Sequence, residues 1–236
     1  MRISKSVTDW YLGYNKDVEK EVPKGGLKRL FYLIWNHFGK LLIINIIFFL
    51  CCIPVITIPA ALCALNRYLI KMYQDGYGFD MTDYWKEFRG QLLKSIPIGV
   101  PIGLLLFYGY YLTRMSYEFQ NSKQAFIIQA IGIFCMIISV LFANFSFVIL
   151  ACLNLPNRYI IKDALILMIC EWKSGLLSLI GSTFFGGISL LLFPYSIVFL
   201  LLGYFSLTQL LVCSSIFPAI RRRIIEPYEK QQTAKI

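Results

Sequence analysis

Long apolar runs separated by short charged segments dominate the chain. They extend from Leu41 to about Ile53, Ala60 to about Tyr73, Ile96 to Leu112, Ala125 to Leu153, Gly175 to Phe193 and Tyr195 to Phe217. These runs approach the roughly 20 residues with which an α-helix crosses a hydrocarbon core of about 30 Å. A transmembrane β-barrel would alternate apolar and polar positions in segments of about 10 residues, and unbroken stretches such as Gly103 to Tyr111 do not. Lipid cannot satisfy open backbone groups, so the pattern predicts helices throughout. Ahead of the first run, Leu27, Leu30, Phe31, Ile34 and Phe38 recur at helical spacing and predict an amphipathic helix.

Pro54 interrupts the first run, and the segment IPVITIP ends at Pro59, a residue that suits the first turn of a new helix but not an interior. Pro54 and Pro59 are therefore candidate hinge residues. Charge decides whether residues 41–73 cross once or form a hairpin, because short cytoplasmic loops collect Lys and Arg. With a hairpin, eight Lys and Arg before residue 41, five between 66 and 94, three between 154 and 174 and five after 220 fall inside, and two lie outside. A single crossing divides the same 23 residues almost evenly. The expected fold is all-α: a polytopic membrane protein of six transmembrane helices with both termini cytoplasmic. It divides into a cytoplasmic segment 1–40, a membrane domain 41–220 and a basic tail 221–236.

Composition strengthens the membrane reading. Hydrophobic residues make up 58% of the chain and charged ones 15%, outside the range of ordinary soluble domains. Loop cations already account for the net charge of +10, and no basic soluble domain is left to grip nucleic acid. The first forty residues are polar, with no short apolar core and cleavage site, so a cleaved signal is not expected.

A basic-aromatic hexapeptide is written twice, NRYLIK at 66–71 and NRYIIK at 157–162. Each follows an apolar run and precedes a Trp-Lys pair (Trp85-Lys86, Trp172-Lys173) and a Leu-Leu step into the next run. The repeated order is consistent with a parallel internal duplication. It is equally what two independent helix ends need, since Arg, Lys and Tyr belong at the headgroup level. The stretches after each hexapeptide, 81–96 and 157–172, are amphipathic and predict short cytoplasmic interfacial helices. Arg67, Lys71, Trp85, Arg158, Lys162 and Trp172 are accordingly the candidate contacts to lipid or to a protein partner.

Chemistry is scarce. All 13 carboxylates lie outside the apolar runs, which leaves no intramembrane proton relay. His37 is the sole histidine, the seven cysteines form no ligand spacing, and neither a metal site nor a disulfide framework is expected. Phosphate-loop, nucleophile-elbow and zinc-protease motifs do not occur, so no catalytic residue, cofactor or enzymatic activity is expected. Among the few polar residues within runs are Asn45, Gln129, Asn144, Ser182 and Gln209, whose simplest role is bonding between helices. Gly99-x-x-x-Gly103 and Ser182-x-x-x-Gly186 are candidate close-packing sites.

One stretch resembles a known family. Trp35-Asn36, the bend Pro54, Thr57, Pro59 and Ala60, the Ala64-Leu65 pair before Arg67, and DYWKEFR at 83–89 are similar to the opening of the YesL-like bacterial membrane proteins. The likeness holds over about residues 25–100 and becomes general afterwards. That family has no established activity. Its association with carbohydrate ABC importers implies an accessory subunit or partner of such an importer in the bacterial cytoplasmic membrane. The permease coupling motif beginning Glu-Ala-Ala is missing, so the importer's own permease is not expected. The alternative is a small stand-alone carrier for a neutral polar solute.

Overall fold

The structure, a computed structural model, describes residues 26–76, 81–119, 122–153, 155–191, 195 and 200–227. All regular structure among them is helical. The charged segment 1–25, Pro194 and the tail beyond 227 lie outside the described residues.

Helix α1 (Gly26–Cys51) merges the expected amphipathic helix and the first apolar run, with non-helical dihedrals at His37 where the two meet. The bend at Pro54 is as expected: one 3₁₀ turn (Val55–Thr57) follows, and helix α2 (Ile58–Asp75) restarts with Pro59 in its first turn. The Thr57 hydroxyl donates to the carbonyls of Cys51 and Pro54, so the bend satisfies backbone groups that proline and the break leave open. Gly76 closes α2 in the left-handed conformation, its N–H reaching the Met72 carbonyl at 3.0 Å.

The expected interfacial helix at 81–96 is not a separate element. It runs without interruption into the next apolar run as α3 (Met81–Met115), a 35-residue helix roughly 50 Å long, about 20 Å more than a hydrocarbon core. α3 returns through a 3₁₀ turn (Ser116–Glu118) into α4 (Ser122–Cys152). These two make the most extensive helix contact in the molecule. α5 (Asn157–Cys170) then meets α6 (Trp172–Leu191) at a bend of 95°. A π-helical turn at Leu200–Tyr204 leads into α7 (Phe205–Ile220), which runs on into a second π-turn, Arg221–Ile225.

Four helices among the described residues are long and apolar enough to cross a membrane: Lys28–Cys51, Val55–Asp75, Thr82–Glu118 and Lys123–Cys152. The bent pair α5–α6 is a fifth if counted as one broken span. The last apolar run is broken at Gly203, and α7 itself has 16 residues. α2, the least apolar of the four, is the most buried, packed by α1, α3, α4 and α7. Leu65, Leu69 and Met72 are fully enclosed there, whereas α3 and α4 turn Leu104, Phe107, Phe126 and Phe134 outward, as lipid-facing surfaces do. All seven cysteines are free.

Candidate functional site

Members of four of the five cation-bearing segments meet at one end of the bundle. NRYLIK lies in the second half of α2, where Asn66, Arg67 and Lys71 are each engaged. Asn66 is buried and takes the Cys213 thiol at 3.4 Å from α7. Arg67 donates to the Ala151 carbonyl at the end of α4 (2.8 Å) and pairs with Glu87 of α3 (3.3 Å). Lys71 faces Asp83 of α3 at 3.9 Å. From α1, the Arg29 guanidinium donates to the Gln74 carbonyl (2.7 Å) and lies 5.1 Å from the Tyr73 ring centre, while His37 Nε2 sits 3.0 Å from the Gly76 carbonyl.

The second hexapeptide is placed differently. NRYIIK opens α5, where Asn157 donates to the Lys94 carbonyl of α3 and Ile160, Ala164 and Leu167 form a narrow buried stripe. Arg158 and Lys162 are exposed, and Tyr159 is 59% exposed where its counterpart Tyr68 is 3%. The two copies therefore do not occupy equivalent structure: one ends a core helix, the other begins a surface helix. Trp85 and Trp172 are both exposed, the first on a helix continuous with a span, the second just past the 95° bend. Of the candidate hinge residues, Pro59 is locked against α3, because a Cβ on Gly99 would lie 2.3 Å from its ring.

Glu171 holds that bend. It is buried, and its carboxylate accepts from Arg222 (2.8 and 2.9 Å) and from Arg223 (2.9 Å), tying the α5–α6 elbow to the end of α7. The Arg223 hydrogen bond, outweighing the cost of burial and aided by Arg222, holds this carboxyl below the usual glutamate range. A carboxylate depressed on folding stabilises the fold above its unfolded pKa of about 4.3, and that stability is lost as pH falls through the lower folded value. Thermal midpoints measured from about pH 6 to pH 3 should therefore fall more steeply for the native chain than for Glu171→Gln. Equal slopes would exclude this clasp as a contributor.

Clefts ring the end of α2. One of about 170 Å³ lies between α2 and α3, lined by Arg67, Tyr68, Lys71, Asp83, Tyr84 and Glu87. Another, about 150 Å³, opens between α2, α4 and α7 and shares Arg67 and Lys71. A third, about 350 Å³, lies between Arg29, Asp75 and Arg221. No group of His, Cys, Asp and Glu among the described residues is arranged to hold a metal ion.

Two polar features within the bundle had only partial signals in the sequence. Asn45, fully buried on α1, donates to the Leu200 carbonyl (2.8 Å) and accepts from the N–H groups of Phe205 (3.0 Å) and Ser206 (3.1 Å). It thereby bridges the break around Gly203, whose φ of 158° disfavours a side chain. An isolated asparagine in an apolar run was the only trace of it. Of the expected packing sites, Gly99 and Ser182 do make close contacts, the latter accepting from Asn144 at 3.3 Å, but a Cβ on Gly103 would face open space, with no neighbouring helix within 4 Å. A close backbone approach lies instead at Gly109 against Gly132, where a Cβ on either would stand 2.8 Å from the other's carbonyl oxygen, which no fixed spacing announces because the two belong to different helices.

Residues 41–111, from the middle of α1 to near the end of α3, match a family model described as "Protein of unknown function, DUF624". The match includes Pro54, Pro59, Arg67, Lys71 and Trp85 and stops before Arg158, Lys162 and Trp172. No curated protein and no solved structure matches the chain. Over that stretch the chain is thus similar to an uncharacterised domain family, a likeness that assigns no activity.

Proposed function

We propose that the protein is a non-catalytic subunit of the bacterial cytoplasmic membrane, six-spanning with both termini inside, that docks to a carbohydrate ABC importer through the α5 elbow. The observation that supports this reading is the difference between the two hexapeptides. Arg67 and Lys71 are engaged by Glu87, Ala151 and Asp83, whereas Arg158 and Lys162 stand exposed on α5, which also exposes Tyr159, Leu165 and Ile169, with Trp172 exposed just past the bend. A basic-aromatic face with apolar centre is the composition of contact surfaces enriched in Arg and Trp. The importer as partner rests on the resemblance to the YesL-like proteins.

Purification in mild detergent with identification of companions tests this. Importer subunits should accompany the native chain and fall by about tenfold with Arg158→Glu/Lys162→Glu, the loss of one or two interfacial ion pairs. Recovery of the chain alone, under conditions that keep importers intact, sinks the proposal. Reporter fusions at Gln74 should read cytoplasmic and fusions at Gln120 external.

One observation favours the second reading, a stand-alone carrier for a neutral polar solute. The last helix is discontinuous at Gly203, and broken helices inside the membrane are a recurrent device of carriers. Solute flux into liposomes containing only this chain would establish it.

A further inference from the structure

We propose that the cleft between the ends of α1, α2 and α7 is a binding site for the headgroup of a monoanionic glycerophospholipid of the phosphatidylglycerol type. The cleft holds about 350 Å³ and has two guanidiniums on its walls, Arg29 from α1 and Arg221 from the end of α7. Arg29 is already oriented: it is stacked 5.1 Å from the Tyr73 ring centre and anchored by one N–H on the Gln74 carbonyl. A neutral carbonyl leaves its charge uncompensated, and its Nε is shut from solvent without an acceptor. Among the described residues no carboxylate lies within ion-pair distance of it. Among the described residues Arg221 pairs with Glu226, at 3.7 Å with both side chains exposed, a contact that a better acceptor displaces at little cost. Guanidinium forks match phosphate oxygens in pairs, which a lysine does not.

Net charge and wall chemistry narrow the ligand. The cleft's own walls carry two cations and one carboxylate, Asp75. With Glu226 beside Arg221, two guanidiniums face two carboxylates, a balance that suits a singly charged phosphodiester better than a doubly charged monoester. Asp75 and the exposed Gln74 also offer acceptors to a hydroxylated headgroup. Phe217 and Ile225 complete the lining, and the adjoining cleft of about 150 Å³ shares both and adds Ile70. An apolar continuation beside a phosphate site fits an amphiphile rather than a free anion. Height in the bilayer agrees: Lys71, one turn before the cleft, faces Asp83, whose Cα lies about 46 Å along α3 from Arg114, past one hydrocarbon thickness and so at the headgroup level. Basic pockets between helices at that level are where anionic headgroups bind.

The test uses the full chain in phosphatidylcholine nanodiscs, with short-chain phosphatidylglycerol added and the thermal midpoint read against lipid concentration. Phosphatidylglycerol should raise the midpoint. Arg29→Gln/Arg221→Gln should weaken apparent lipid affinity about tenfold, as losing charge-assisted bonds to one phosphate implies. Arg89→Gln/Lys94→Gln, which changes the same number of exposed cations elsewhere at this end, should leave it unaltered. If the double variant does not fold, Arg221→Gln alone decides, since its side chain is 63% exposed and removing it costs the fold little. An equal loss with Arg89→Gln/Lys94→Gln means diffuse attraction to the surface and overturns the site. An unchanged response in the cleft variants overturns it too. Glycerol phosphate giving the same shift as the lipid would make this a site for a soluble phosphoryl compound and overturn the lipid assignment.

Discussion

Replacing Gly132 with leucine should cost the fold about 3 kcal/mol, the upper part of the range for overpacking a tight core. A Cβ at this position would stand 2.6 Å from Thr113 Oγ1 and 2.8 Å from the Gly109 carbonyl, and one at Gly109 would be 2.8 Å from the Gly132 carbonyl. Contact is therefore backbone on backbone, and no rotamer change relieves it. Without a hydrophobic force between helices in lipid, such close approach is itself what holds α3 to α4. The same substitution at Gly103, where a Cβ would face open space, should be nearly neutral although it lies on the same helix as Gly109. Denaturation by sodium dodecyl sulfate, followed by helicity, compares the two. Equal destabilisation would refute the glycine contact as the α3–α4 seam.

Asn45→Leu should cost about 3 kcal/mol by a different route. It orphans one carbonyl, at Leu200, and two N–H groups, at Phe205 and Ser206, all close to the Gly203 break. A buried group left without its partner costs about 1–3 kcal/mol, toward the lower value in a membrane, where the unfolded state also finds partners. Hydrogen exchange localises the effect. Amides of residues 204–207 should exchange faster in the variant, while those of α3 and α4 remain protected. Unaltered protection at 205 and 206 would mean that the break is held by other contacts. Leucine rather than alanine isolates the polar loss, because it keeps the volume beside Phe48, whose ring lies 5.0 Å from that of Phe205.

Both effects rest on contacts between distant parts of the chain, and that separates what could be read in the residues from what could not. Hydropathy placed the helical runs and the bend at Pro54, because a proline removes a backbone donor wherever it stands. It also joined what it should have divided and divided what it should have joined. DYWKEFR reads as an interfacial segment by its amphipathic spacing, yet nothing at Gly90 to Ile96 stops a helix, and α3 runs through it. Residues 157–193 read as an interfacial helix and then a span, and the turn between them is sharp because Glu171 is drawn toward Arg222 and Arg223, some fifty residues on.

The sequence by itself determined a helical membrane-type protein with 21 of its 23 cations grouped in four segments, since length, apolarity and loop charge are local quantities. The structure brings members of all four, Arg29, Arg67, Arg158 and Arg222, to one end of the bundle. Only tertiary structure decided which of these cations are spent. Arg67 and Arg158 carry the same local signature, NRY, but α4 and α3 come within reach of the first to supply the Ala151 carbonyl and Glu87, whereas the second begins a surface helix. An ion pair or a cap in lipid is made by whichever backbone or carboxylate packing brings near, and packing follows from close approaches such as Gly109 on Gly132, which no single stretch of the chain contains.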